Sequence, residues 1–264
     1  MQKANINGVE IAYWIDGDQE NPWIVLSNSL ASDHRMWGPQ MTTLMQTHRV
    51  LRYDTRGHGN SQATGGEYSL DLLVSDLAGL MDFLDIDSAD VLGLSLGGMT
   101  ALGLALDHPY KVKRLICCDA RADAPAAYAE GWNQRIEIAR QKGLSALAEG
   151  TIERWLTESF RSDSSNKETV ELAGDMILST TLDGFCGCAA ALTTLNYRDR
   201  LSDIAAPTLC IAGSEDLAAP QDVMTAMAEA IPHGQIAVVE DAAHLSNLNQ
   251  PGKFNEIVLQ CLRS

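Results

Sequence analysis

Short, nearly continuous apolar runs alternate with longer amphipathic stretches along most of this 264-residue chain, and that rhythm restricts the fold more than any other feature. The runs fall at residues 11–14, 23–27, 50–54, 89–94, 115–119, 208–212 and 236–239. A strand with one wet face alternates apolar and polar residues, whereas a strand covered on both faces is apolar throughout, so these runs predict a parallel sheet buried between helices. Helical spacing occupies residues 37–46, 69–84, 96–107, 220–230 and 251–262. Ser69 offers an N-cap to one of these, and Pro220 and Pro251 stand where a first helical turn tolerates a missing N–H. Repeated strand–helix alternation means α/β with a mainly parallel sheet.

One stretch breaks the alternation. Residues 121–195 contain no strand pattern, only helical patterns at 132–141, 144–160, 167–180 and 185–195. We read them as a helical cap inserted between two strands and covering one edge of the sheet. Residues 1–120 and 196–264 then form the core.

Lys and Arg number 19 and Asp and Glu 35, a formal net charge of −16. Such a surface repels phosphate backbones and anionic lipid, so neither nucleic acid nor membrane is an expected partner. No apolar run reaches the ~18–20 residues that cross a bilayer, and the N-terminal residues carry no apolar signal-peptide core. A cytoplasmic location with reduced thiols is expected. Cys186-Gly-Cys188 lacks a second Cys/His pair at zinc-site spacing, so no metal is expected. The sequence leaves open a homo-oligomer.

The chemistry centres on Gly93-Leu-Ser95-Leu-Gly97, a G-x-S-x-G sequence that closes one predicted strand and opens a predicted helix. Glycines on both sides let the backbone make the sharp turn that presents a serine above the sheet. An incidental serine in a glycine-rich turn is the alternative, and the strand–turn–helix context favours the nucleophile. The Leu96 N–H, at the helix start, points where an oxyanion would form. A serine hydroxyl needs a base held by a third group, sought here in the order Ser, Asp, His. Asp216 follows the run at 208–212 and His244 follows the run at 236–239. Asp216 is assigned as the acid, with Glu215 and Asp119 as rivals, and His244 as the base. The loop Ser27-Asn-Ser-Leu-Ala-Ser ends another run and supplies a second oxyanion amide, from Ser29 or, as the near alternative, Leu30. His58 reads as structural, His34 as either a loop residue or a neighbour of the site, and His48, His108 and His233 as surface residues.

With these segments the chain resembles the α/β-hydrolase superfamily over essentially its whole length. Within it the chain is similar to the 3-oxoadipate enol-lactonases. The narrower matches are the Ser27-Asn-Ser loop, Asp183-Gly-Phe-Cys-Gly-Cys and His244-Leu-Ser-Asn; the sharp turn at residues 93–97, the elbow, and Arg56-Gly-His-Gly specify only the superfamily. The resemblance implies an eight-stranded sheet, an anionic enol-lactone as substrate, 3-oxoadipate as product in aromatic catabolism, and no cofactor. A substrate carboxylate approaching so acidic a protein needs a local cation. Trp132 and Arg135 in the cap are the candidates, with Arg35 behind them. A carboxylesterase or perhydrolase-like enzyme on small esters is the second reading, and a noncatalytic ligand receptor on the same fold a remote third.

Overall fold

A computed structural model describes residues 1–263. Eight strands form one sheet: β1 (Gln2–Ile6), β2 (Val9–Asp16), β3 (Trp23–Ser27), β4 (Arg49–Tyr53), β5 (Ala89–Leu94), β6 (Val112–Cys118), β7 (Thr208–Gly213) and β8 (Gly234–Val239). Their order across the sheet is β1-β2-β4-β3-β5-β6-β7-β8. The pairs β1/β2 and β2/β4 are antiparallel and the rest are parallel. The core helices are α1 (Gly38–Leu44), α2 (Leu70–Phe83) and α3 (Leu96–Asp107) before the insertion. The insertion holds α4 (Ala126–Lys142), α5 (Ser145–Trp155), α6 (Glu158–Ser162), α7 (Lys167–Ser179) and α8 (Leu182–Thr193), followed in the core by α9 (Gln221–Ala230), α10 (Ser246–Asn249) and α11 (Pro251–Arg263).

The runs read as doubly covered strands are just that at the centre: every residue of β5 and β7 is buried. Edge strand β8 keeps exposed residues, as one-sided cover requires. Two elements depart from expectation. The hairpin strand β1 lay outside the predicted set, although Asn7-Gly8 between alternating residues is a hairpin signal and both residues have positive φ. The single helix expected over 144–160 is two, because the Thr157 side chain accepts from the Phe160 N–H and starts a new helix at Glu158.

The chain runs from β3 to β4 on one side, then crosses back to β5 on the other. The carboxyl ends of β3 and β5 therefore meet at a topological switch point, where open α/β sheets form their binding crevices. Helices α4–α8 lie between β6 and β7. Their neck is closed by a bridge between Asp123 and Asn196, by Ala124 N–H to Leu195 O (3.0 Å) and by Tyr197 N–H to Ala122 O (2.7 Å). A second seam joins α8 to the loop after β4: Thr181 N–H and Oγ1 both donate to Gly57 O, at 3.0 and 2.9 Å. Gly57 and Gly184 approach there so closely that a Cβ on either would overlap the other's backbone. This contact accounts for two glycines of the sequence segments Arg56-Gly-His-Gly and Asp183-Gly-Phe. No single helix among the described residues is long and apolar enough to cross a membrane.

Candidate active site

Ser95 sits at the tip of the β5–α3 turn with φ +57° and ψ −118°, a conformation a β-carbon-bearing residue adopts only under constraint. The constraint is visible. Ser95 N–H donates to Cys118 O (2.8 Å), and α3 follows at once. A Cβ on Gly93 would overlap Gly97, and one on Gly97 would overlap the Ser27 carbonyl at the end of β3. The two glycines thus let α3 pack against β5 and β3 closely enough to hold the strained turn.

His244 comes from the loop between β8 and α10, and Asp216 from the loop after β7. His244 Nε2 lies 2.9 Å from Ser95 Oγ, and its Nδ1 lies 2.8 Å from Asp216 Oδ2. All three residues are buried. With Asp216 accepting from Nδ1–H, Nε2 carries the lone pair and Ser95 O–H donates to it. Asp216 Oδ1 accepts from Ala218 N–H (2.7 Å), which fixes the carboxylate. Burial disfavours the imidazolium, but the charge and hydrogen bond of Asp216, with the Asp119 charge behind them, outweigh it and raise the His244 pKa.

The rival acids are elsewhere. Glu215 is exposed. Asp119 is fully buried behind the site, accepting from Gly213 N–H (2.7 Å) and from the Ser246 hydroxyl (2.5 Å). Burial and then the Asp216 charge push the Asp119 carboxyl up. Asp119 thus braces the loops that carry Asp216 and His244.

Of the two amides expected as a second oxyanion donor, Ser29 and Leu30, one is already engaged. Ser29 N–H is directed at Met36 Sδ (3.4 Å), so that amide is engaged. Leu30 N–H has no partner among the described residues, and Leu30 lines the same cavity as Ser95. The sulfur of Met36, seven residues on, decides between neighbouring amides that the sequence could not separate.

A cavity of about 460 Å³ opens over Ser95 and His244, floored by the β3 loop and roofed by α4, α5 and α8. Trp132 and Arg135 line it, as do Arg154, Arg121, Tyr128, Trp155 and Phe185, which sequence reasoning missed. Arg135 stacks on Trp132, its guanidinium carbon 4.8 Å from the ring centroid, while Tyr128 meets the same indole edge-on and Trp132 Nε1 is buried with no well-formed hydrogen bond among the described residues. Among the described residues Arg154 Nη2 donates to Thr151 Oγ1 alone (3.0 Å). Among the described residues neither Arg135 nor Arg154 has a carboxylate at ion-pair distance. Burial lowers the pKa of both, and repulsion from Arg135 contributes to bringing Arg154 down to about 10. Arg121 differs, since it bonds the Asp123 and Ala218 carbonyls and stacks on Tyr128. The cavity thus holds two half-buried cations that have no carboxylate at ion-pair distance among the described residues.

Arg35 is a correction: it is absent from the cavity lining, and Asp33 holds its guanidinium through Nε (2.9 Å) and Nη2 (2.7 Å). So is His48, which is buried with Nε2 3.2 Å from Asp90 Oδ2. His233 is exposed and His108 half-buried. His58 is fully buried, its Nδ1 against Arg56 O. His34 stacks on Trp14 at 3.5 Å and bonds Asp54, pinning the β3 loop from outside the cavity. Asp33, His34 and Asp54 bring possible metal ligands together. Arg35 and the His34 and Asn60 amides already occupy the carboxylate oxygens, so this cluster is an internal hydrogen-bond network.

Comparison with known proteins agrees with this architecture. The family model of the α/β hydrolase fold matches residues 22–251. The chain is 36% identical over 257 residues to 3-oxoadipate enol-lactonase 1 of Acinetobacter baylyi, covering 96% of this chain and 93% of that protein. The crystal structure of the enol-lactonase from Burkholderia xenovorans superposes with a TM-score of 0.94 at 37% identity, covering all of both chains. A thermophilic esterase from Thermogutta terrifontis, solved with malate bound, superposes with a TM-score of 0.93 at 30% identity, covering all of this chain and 98% of that one. From fold, elbow and relatives together, the chain belongs to the α/β-hydrolase family and is an enzyme.

Proposed function

We propose that the protein opens an anionic enol-lactone, 3-oxoadipate enol-lactone, through an acyl-enzyme on Ser95. The observation that carries this reading is the pairing of a Ser95–His244–Asp216 relay with two uncompensated arginines in one cavity. An enzyme for neutral esters has no use for a cationic roof, whereas a carboxylate-bearing lactone does.

His244 Nε2 takes the Ser95 proton as Oγ attacks the lactone carbonyl carbon. Leu96 N–H and Leu30 N–H receive the developing oxyanion; one such donor contributes about 3–4 kcal/mol to transition-state stabilisation. The ring C–O bond then breaks and the departing enolate oxygen takes the proton from His244. The enol tautomerises to a ketone, which makes this leaving group easier to expel than an amine. Water, deprotonated by His244, attacks the acyl carbon; Ser95 recovers its proton and the product leaves with a new carboxylate. Arg135, Arg154 and Trp132 Nε1–H hold the substrate's own carboxylate through charge-assisted hydrogen bonds. The test follows loss of the enol-lactone's ultraviolet absorbance with purified protein and with Ser95→Ala. Turnover by the wild type and none by folded Ser95→Ala supports the proposal; equal rates from both refute it.

A further inference from the structure

The catalytic histidine is tied by its backbone to the cap. Helix α5 ends at Trp155, and the last carbonyls of a helix have no partner within it. Here the loop carrying the base supplies those partners: His244 N–H donates to Arg154 O (3.4 Å) and Leu245 N–H to Trp155 O (3.0 Å). One side chain spans this seam. Asn249 Oδ1 accepts from Thr157 N–H (3.0 Å) on the cap side and from Ala243 N–H (3.1 Å) beside the base. Its Nδ2 donates to Trp155 O (3.1 Å) and to Leu245 O (3.2 Å). Asn249 is 4% exposed, so the amide spends both its donors and both its acceptor positions on four backbone groups out of reach of water.

We infer that Asn249 is a positioning residue that sets the His244 imidazole by locking the base loop, residues 243–245, to the end of α5. The two sides of the seam, a helix end and a loop, belong to different parts of the chain, and Arg154, which lines the cavity, sits in the same turn that Asn249 holds. Without Asn249, the Ala243 and Thr157 amides lose the one acceptor they have among the described residues, and the loop gains freedom. A shift of about 1 Å at a reacting group costs up to roughly 100-fold in rate. An apolar residue cannot replace the bonds, and Asp offers acceptors but sets a carboxylate against two carbonyl oxygens.

This inference rests on the Ser95–His244 pair acting as nucleophile and base, not on the identity of the lactone. The experiment therefore measures the rate of covalent labelling by a serine-reactive phosphonate, on protein shown to be folded by circular dichroism. Wild type, Ser95→Ala, Asn249→Ala and Asn249→Asp are compared. Labelling of wild type but not of Ser95→Ala establishes the pair; no labelling of wild type defeats that earlier reading and overturns this inference with it, whereas slow labelling confined to the Asn249 variants separates the two. Given wild-type labelling, Asn249→Ala is expected to label about 10- to 100-fold more slowly. A change below tenfold in folded Asn249→Ala overturns the inference. Should Asn249→Ala not fold, Asn249→Asp decides. Its rate relative to wild type is expected to climb as pH falls and the carboxyl becomes a neutral donor and acceptor, and a pH-independent ratio overturns the inference.

Discussion

Replacing Arg154 by Gln removes one of the two cavity arginines that lack a carboxylate partner among the described residues, while keeping most of the side chain's length. In the free enzyme this arginine bonds a threonine hydroxyl and has no carboxylate at ion-pair distance among the described residues; burial first, and then repulsion from Arg135, lower its pKa. A charged hydrogen bond contributes about 1.5–3 kcal/mol net, and the Coulomb term for contact charges at an effective dielectric near 20 sets an upper limit of about 4 kcal/mol. The loss in kcat/KM for an anionic lactone is therefore about 10- to 150-fold. A neutral ester of similar size has no carboxylate to lose, so its kcat/KM is expected to move by less than about threefold. Stability is expected to hold or rise, because an uncompensated, half-buried charge is removed from beside a like charge. The assay is paired steady-state kinetics on the charged and neutral substrates, with thermal melts of both proteins. Equal losses for both substrates, or none for the charged one, would refute the reasoning.

Three other outcomes follow from the geometry. Asp216→Asn is expected to lower kcat on the order of 10⁴-fold, since it removes the group that sets the His244 tautomer. The acid limb of its residual kcat/KM profile should also move to lower pH, because the Asp216 charge and hydrogen bond raise the His244 pKa and the neutral imidazole is the working base; a limb that stays put or rises contradicts this. Gly97→Ala forces a Cβ into the Ser27 carbonyl and is expected to cost about 3 kcal/mol in urea unfolding, whereas a neutral result would show that the elbow tolerates separation from β3. The buried Arg56–Asp76 pair is bidentate, with Asn7 also donating to Asp76, so Asp76→Ala should cost about 3–5 kcal/mol; a loss under about 1 kcal/mol contradicts the pairing.

The elements legible in the sequence were those whose signal is local. Central strands such as Ala89–Leu94 are apolar throughout because both faces are covered, and a glycine-flanked serine between strand and helix has few other uses. The carboxylate and histidine at 216 and 244 followed from the chain order that the elbow imposes. What depended on tertiary packing was hidden. Which amide of the Ser29–Leu30 pair is available turns on where the Met36 sulfur packs. Arg154 was missed because the cap helices are polar on several faces, and only their docking determines which arginines look down on Ser95. Arg35 failed for a local reason within reach of the sequence: an aspartate two residues before an arginine can cap the turn and capture the guanidinium together, as Asp33 does. His48 was assigned to the surface from polar neighbours, yet Asp90 of β5 gives it a buried partner 42 residues away.

The reading of the cavity as a receptor for a charged lactone is tested most directly by one ratio: kcat/KM for 3-oxoadipate enol-lactone over kcat/KM for p-nitrophenyl acetate, measured on the same preparation with Ser95→Ala as the blank. Two arginines awaiting a carboxylate predict a preference of about 100-fold or more for the lactone. A ratio near one, or a preference for the neutral ester, would contradict it.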